Sequence, residues 1–304
     1  MRLVVGYVSN QRGVDAVHLA SSLAGARRAR LDIVVVLPLD TPTFDMYSPD
    51  RAYQTQLEQQ GQEWLDEALA LVPDGVVARG HVVRAESITE GLIDAATDPA
   101  LGGEAHLIVI GAAHQGIIGR FSIGSIAGTL LHASPVPVAL APVDYGPHPA
   151  ITRLTCATGL LPGAEALVEL AIQLADDWRV PLRLMSLLAV GKERSEDARH
   201  ELHAIAERHV HDLVAQANDV LPDDFPVTGV LGTGRSLEEC VHGLDFDASE
   251  IVMVGSSRLG GPKRLFLGAS ANTILHALPV PMIVVPRDYE VPAYGVHAEA
   301  AQPD

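Results

Sequence analysis

Two periodicities alternate along the chain. Residues 2–8, "RLVVGYV", form a near-continuous apolar run of strand length, and residues 13–29, "GVDAVHLASSLAGARRA", space their apolar positions as a helix does. The alternation then repeats. Strand patterns at "LDIVVVLPL", "GVVARGHVV", "AHLIVIG" and "VPVALAP" are separated by helix patterns at residues 50–72, 86–97 and 123–134. Ser87 and Glu90 have capping-box spacing at the start of the third helix, and Pro73 ends the second. From residue 153 the same order returns. Strands are predicted at "RLTCATG", "PLRLMSLLAV", "FPVTGVL", "EIVMVG" and "VPMIVVP", and helices at 164–178, 195–221, 236–244 and 267–278. Apolar strands separated by helices predict parallel sheets buried on both faces, a doubly wound α/β fold.

The two halves are copies. "LLHASPVPVALAPVDY" at residues 130–145 matches "ILHALPVPMIVVPRDY" at 274–289 without a gap, and further back Gly111, Gly116, Arg120 and Gly124 fall on Gly255, Gly260, Arg264 and Gly268. Glycine, arginine and proline landmarks held in step over such a span mark an internal duplication. Residues 1–146 and 151–289 are therefore read as two domains joined by "GPHPA", with 290–304 a non-periodic, flexible tail. The fifth strands, Val136–Ala141 and Val280–Val285, are expected to meet across a pseudo-twofold axis as an intramolecular pseudo-dimer, because each would otherwise be an open apolar edge. Pro135, Pro137, Pro279 and Pro281 suit such positions.

Composition narrows the function classes. A net charge of −17 disfavours a nucleic-acid or anionic-membrane partner, since a phosphate backbone needs a basic face. The apolar runs are too short to span a bilayer, and "MRLVVGYV" enters a strand pattern at once without a signal-peptide pattern. Cys156 and Cys240 are too few for a disulfide scaffold and read as small buried hydrophobes. The expected location is the cytoplasm.

Candidate chemistry lies after the fourth strand of each half, at the carboxyl end of the sheet where such folds bind ligands. The segments "GAAHQGIIGRFSIGS" and "GSSRLGGPKRLFLGA" are glycine-rich loops running into helices, an arrangement that offers N–H groups to an anion. With the five-strand unit and the closing "PVPV", these residues resemble the universal stress protein family, in its tandem form, over nearly the whole chain. The resemblance implies two Rossmann-like domains of the adenine nucleotide alpha hydrolase type, each with a five-stranded parallel sheet in the order 3-2-1-4-5. It also implies a loop of the form Gly-x-x-Gly, nine residues, then Gly-Ser or Gly-Thr that holds ATP or another adenine nucleotide. Gly111, Gly124 and Ser125 match that motif, with His114 at its second glycine. Gly255 and Gly268 match in the second half, with Arg258 at the second glycine and Ala269 in place of the hydroxyl. Where ATP-binding relatives carry an aspartate at the end of the first strand, this chain has Val8 in one half and no acid in "TCATGLL".

Arg258, Lys263 and Arg264 place three cations in the second loop, suited to a phosphate-bearing ligand. The bland reading is a solvated loop. His203, Glu207 and His211 share a helix face but lack a metal-binding motif and read as solvated; no metal site is expected. "GTGRS" at 232–236 lacks a dinucleotide fingerprint, and no nucleophile elbow is present. With no general base or magnesium-ligating carboxylate visible beside either loop, the chain is read as a non-enzymatic stress-adaptation module with no certain cofactor. The site residues are Gly111, His114, Gly124, Ser125, Gly255, Arg258, Lys263, Arg264 and Gly268, and association into a homodimer stays open. The rival readings are a ligand-free interaction protein with decayed sites and a low-activity ATPase.

Overall fold

The computed structural model describes residues 1–26, 29–39, 51–112, 124–159, 164–191, 195–257, 265–287 and 289. His114, Arg120, Arg258, Lys263, Arg264 and the expected tail lie outside them.

Every element predicted from periodicity is present. The first half runs β1 (Arg2–Gly6), α1 (Gln11–Ala26), β2 (Arg30–Pro38), α2 (Arg51–Ala70), β3 (Val77–Ala85), α3 (Ile88–Thr97), β4 (Leu107–Gly111), α4 (Ser125–Ala133) and β5 (Val138–Ala141), with a short 3-10 turn at Pro99–Leu101. The second runs β6 (Arg153–Thr158), α5 (Glu165–Trp178), β7 (Leu182–Ala189), α6 (Glu196–Asn218), β8 (Val227–Gly234), α7 (Leu237–His242), β9 (Glu250–Gly255), α8 (Ala269–Ala277) and β10 (Met282–Val285). Ser87 caps α3 by accepting from the Glu90 N–H at 3.2 Å, and Ser236 caps α7 in the same way through Glu239.

Each half has the strand order 3-2-1-4-5, but the two sheets are not separate. They fuse into one ten-stranded sheet, β3-β2-β1-β4-β5-β10-β9-β6-β7-β8. All pairings are parallel except β5–β10, where Val138, Ala139 and Leu140 oppose Val284, Ile283 and Met282. Ala139 and Ile283 occupy equivalent places in the repeat, so the pseudo-twofold passes between them. The fifth strands begin two residues later than expected. Pro137 and Pro281 have no N–H to give and instead accept from Ile108 and Val252, each at 2.9 Å.

The seam is more than one strand pair. Helix α4 ends against the other half, where the Leu267 N–H donates to Leu131 O (3.1 Å) and the Leu265 N–H to Ser134 O (3.0 Å). These amides satisfy carbonyls that a helix end leaves open. His132 donates from Nδ1 to Gly128 O (2.6 Å) and stands edge-on to Phe266, 5.0 Å between ring centres. The expected linker is also held. Along α1, Asp15 accepts from the Asp144 N–H (3.1 Å), His18 meets Tyr145 O (2.9 Å) and the Ser22 hydroxyl donates to His148 O (2.9 Å). A Cβ at Gly25 would run into Pro149 O, so the connection lies directly on that helix.

At the amino ends of the strands each half buries an ion cluster, wired differently. Asp32 of β2 receives Arg2 Nε at 2.6 Å and Arg30 at 3.1 Å, with His81 at 3.4 Å. In the second half the β2-equivalent position is Arg183, and the acid has moved to Glu250 at the start of β9, where His106 stands in the first half. Glu250 pairs with Arg183 at 2.6 Å and with Arg153, and accepts from the Thr155 hydroxyl. Burial lowers the Arg183 pKa, opposed by Glu250.

Removing a buried acid strands its cations, and breaking such pairs costs about 3–5 kcal/mol. Asp32→Ala is expected to lose that much stability in urea denaturation, with Glu250→Ala comparable; a loss below about 1 kcal/mol for both would refute this account of the clusters. Both cysteines are fully buried, and burial pushes the Cys156 thiol up to about 12 and raises that of Cys240. Neither is expected to react with a thiol reagent in native protein at pH 8, and both should react once the chain is unfolded.

Candidate functional site

A solvent-open cleft lies at the carboxyl ends of β1 and β4 in the first half. Tyr7 and Val8 close the end of β1, Gly111 ends β4, and Gly124, Ser125, Ile126 and Ala127 begin α4. Val34, Val36, Ile88, Leu92 and Ile110 make the rest of the wall apolar. Gly6 opens this space: a Cβ there would sit 2.9 Å from Leu92 Cδ1 and 3.1 Å from Ile110 Cγ2.

Local backbone demands explain the glycines. A Cβ at Gly111 would collide with the Arg12 carbonyl, because the first turn of α1 crosses the end of β4. Glycine alone allows that approach. Gly124 is the N-cap of α4 with φ −70° and ψ 169° and makes no side-chain cap bond. The first amides of α4 therefore face the cleft without a capping side chain, and the Ser125 hydroxyl makes no hydrogen bond among the described residues. A helix start in that state attracts negative charge.

Arg12 lines the same cleft, is exposed, and forms no side-chain bond among the described residues. Motif matching missed it. The signal was its place: a cation in the first turn of a helix opposes the dipole, and α1 has no acid in that turn to offset it. The apolar wall from β2 and α3 was also missed, since nothing in single-chain periodicity separates a cleft wall from core. Val8 stands where the resemblance expects an acid, so the cleft floor offers no carboxylate at that point.

The equivalent region of the second half carries a clasp. Ser257 N–H donates to Phe266 O at 2.8 Å, and the Ser256 hydroxyl both accepts from Phe266 N–H (2.7 Å) and lies 3.1 Å from Phe266 O. These bonds clasp the chain on either side of residues 258–264. A Cβ on Gly268 would lie 3.0 Å from Ser257 Cβ, so the clasp also presses on the start of α8. A Cβ at Gly255 would meet Leu167 Cδ2 at an ordinary 3.4 Å, so that position is not forced to be glycine as Gly111 is. The position matching Ser256 is Ala112, which has no hydroxyl with which to form the clasp. Gly111, Gly124 and Ser125 thus share one cleft, Gly255 and Gly268 lie beside the clasp of Ser256 and Ser257 with Phe266, and His114, Arg258, Lys263 and Arg264 lie outside the described residues.

Two other features resolve plainly. His203 Nδ1 lies 3.5 Å from Glu207 Oε2, one turn along α6. Among the described residues, no helix is long and apolar enough to cross a membrane.

The universal stress protein family model matches residues 1–142 and again 151–286. Universal stress proteins of Mycobacterium bovis and Mycobacterium tuberculosis are 30% identical over 299 residues, covering 94% of this chain and all of theirs. The crystal structure of a universal stress protein from Archaeoglobus fulgidus superposes with a TM-score of 0.64 at 15% identity, over 94% of this chain and 98% of that one. With the repeat, the strand order and these matches over both halves, the chain belongs to the universal stress protein family as a tandem, two-copy member.

Proposed function

We propose that this tandem universal stress protein is a non-enzymatic cytoplasmic module whose first half binds a phosphate-bearing ligand with an apolar body, an adenine nucleotide being the best fit. The observation that carries this reading is the first-half cleft, which combines the α4 start and the Ser125 hydroxyl with Arg12, whose side chain has no partner among the described residues, and an apolar wall. Phosphate oxygens would take the helix amides and the guanidinium, and a planar base would lie against Val34, Val36 and Leu92. Binding is weak because Val8 supplies no acceptor for the sugar and His114 replaces the second loop glycine. One missing hydrogen bond costs about 0.5–1.5 kcal/mol, up to roughly tenfold in affinity. The second half, clasped by Ser256 and Phe266 and lacking the hydroxyl at Ala269, takes a small anion through Arg258, Lys263 and Arg264 rather than a whole nucleotide.

Among the described residues lining the first cleft there is no general base or metal-binding carboxylate. Nucleotide would therefore be held and not hydrolysed.

Calorimetric titration with ATP, ADP and inorganic phosphate tests the asymmetry. One nucleotide per chain is expected. Arg12→Ala or Ser125→Ala should weaken it by about 3- to 100-fold, the span for neutral to charged hydrogen bonds. Val8→Asp should tighten adenosine nucleotides by about tenfold if the missing acceptor is what limits them. Two equivalent nucleotide sites, or binding indifferent to Arg12 and Ser125, would sink the reading. Phosphate release from ATP with magnesium should stay at background, and turnover abolished by Ser125→Ala would show an enzyme instead.

A further inference from the structure

The ten-stranded sheet has two outer edges, β3 and β8, and they are treated differently. Strand β3, "VARGHVVRA", carries Arg79, His81 and Arg84, the charges by which natural edges repel unwanted pairing. Strand β8, "VTGVLGTG", is eight residues long and holds no charge and no proline. Thr228, Gly229 and Thr233 are exposed, and among the described residues only β7 pairs with it.

The hydrogen-bond parity of β8 shows which groups remain open. Pro226 O accepts from Leu182 N–H and Gly234 O from Val190 N–H, both 2.9 Å, so even-numbered residues face β7. Val227, Gly229, Leu231 and Thr233 therefore turn their N–H and C=O groups outward. The glycines keep this edge bare for a packing reason. A Cβ at Gly229 would lie 2.5 Å from Val210 Cγ1 of α6, and one at Gly232 would lie 2.7 Å from Leu187 Cδ2 and 2.9 Å from Cys240 O.

We infer that the β8 edge is a docking surface for a second copy of this chain, pairing antiparallel with its own β8. An antiparallel self-pair needs residues of like parity opposite one another, and a register centred on Val230 meets that condition. It sets Gly229 against Leu231 and Val227 against Thr233, about eight backbone hydrogen bonds in all. No like charges oppose each other within the strands. Beyond them, Asp223 and Asp224 of one copy come beside Arg235 of the other, whose side chain is 64% exposed and already paired with Glu239. Equivalent pairing of β3, centred on His81, would set that ring against its own copy and bring Arg79 of one strand beside Arg84 of the other. The edge that a single-unit relative could use for this purpose, the fifth strand, is consumed internally by β5–β10. A sheet of twenty strands across a true twofold would result.

Sedimentation velocity on the full chain, over a micromolar concentration range, tests this. A reversible monomer–dimer equilibrium is expected. Leu231→Pro removes an outward N–H that β7 does not use, and Thr228→Lys with Thr233→Lys adds charges at exposed positions. Each should raise the dimer dissociation constant at least about tenfold, and the lysine variant should keep the wild-type urea midpoint. Val77→Lys on the other edge should leave the dimer intact. A chain that stays monomeric throughout the range, or a dimer unmoved by the lysines, overturns the proposal.

Discussion

The antiparallel contact between β5 and β10 governs this molecule. Each repeat alone would present an apolar fifth strand with unpaired backbone groups, and among the described residues neither half has another element to cover it. Pairing the strands about Ala139 and Ile283 removes both edges at once and makes the two buried layers continuous through the seam. The rest of the joint follows from it. Helix α4 is brought close enough for Leu265 and Leu267 to cap its end, and the connecting residues are short enough to be pinned along α1 by Asp15, His18 and Ser22.

That joint also links the two candidate ligand regions. Helix α4 begins at the open cleft and ends on the segment leaving the clasped loop of the other half. Its first turn offers amides to a ligand, and its last turn receives amides from Leu265 and Leu267. The same nine-residue helix is thus one wall of the first site and the footing of the second loop.

The fold was legible because its signals are periodic and repeated. Apolar runs such as "LIVIG" and "IVMVG" can only be buried strands when helix patterns flank them, and the shared Pro-Val-Pro placed the fifth strands at an edge. The start of those strands was misjudged because Pro137 and Pro281 look strand-like in composition yet cannot donate. The candidate site was legible only where its geometry depends on backbone freedom, as at Gly111 and Gly124. Arg12 and the wall of Val34, Val36 and Leu92 come from three elements that meet only in the folded chain, so no local spacing announced them. The clasp of Ser256 and Ser257 with Phe266 was hidden for the same reason, since two serines after a strand look like ordinary turn residues.

The relocated acid has a consequence for inheritance. In one half a β2 aspartate answers the arginines; in the other that position is Arg183 and the answering carboxylate sits on β9. Exchange of a gene segment carrying β2 into the place of β7, or the reverse, would bury two acids together or leave cations without one. Gene conversion between the copies, the process that ordinarily keeps duplicates alike, is thereby penalised unless both strands are exchanged together. A difference between the halves, such as the clasp of Ser256 and Phe266 where the first half has Ala112, is of the kind that such isolation would preserve.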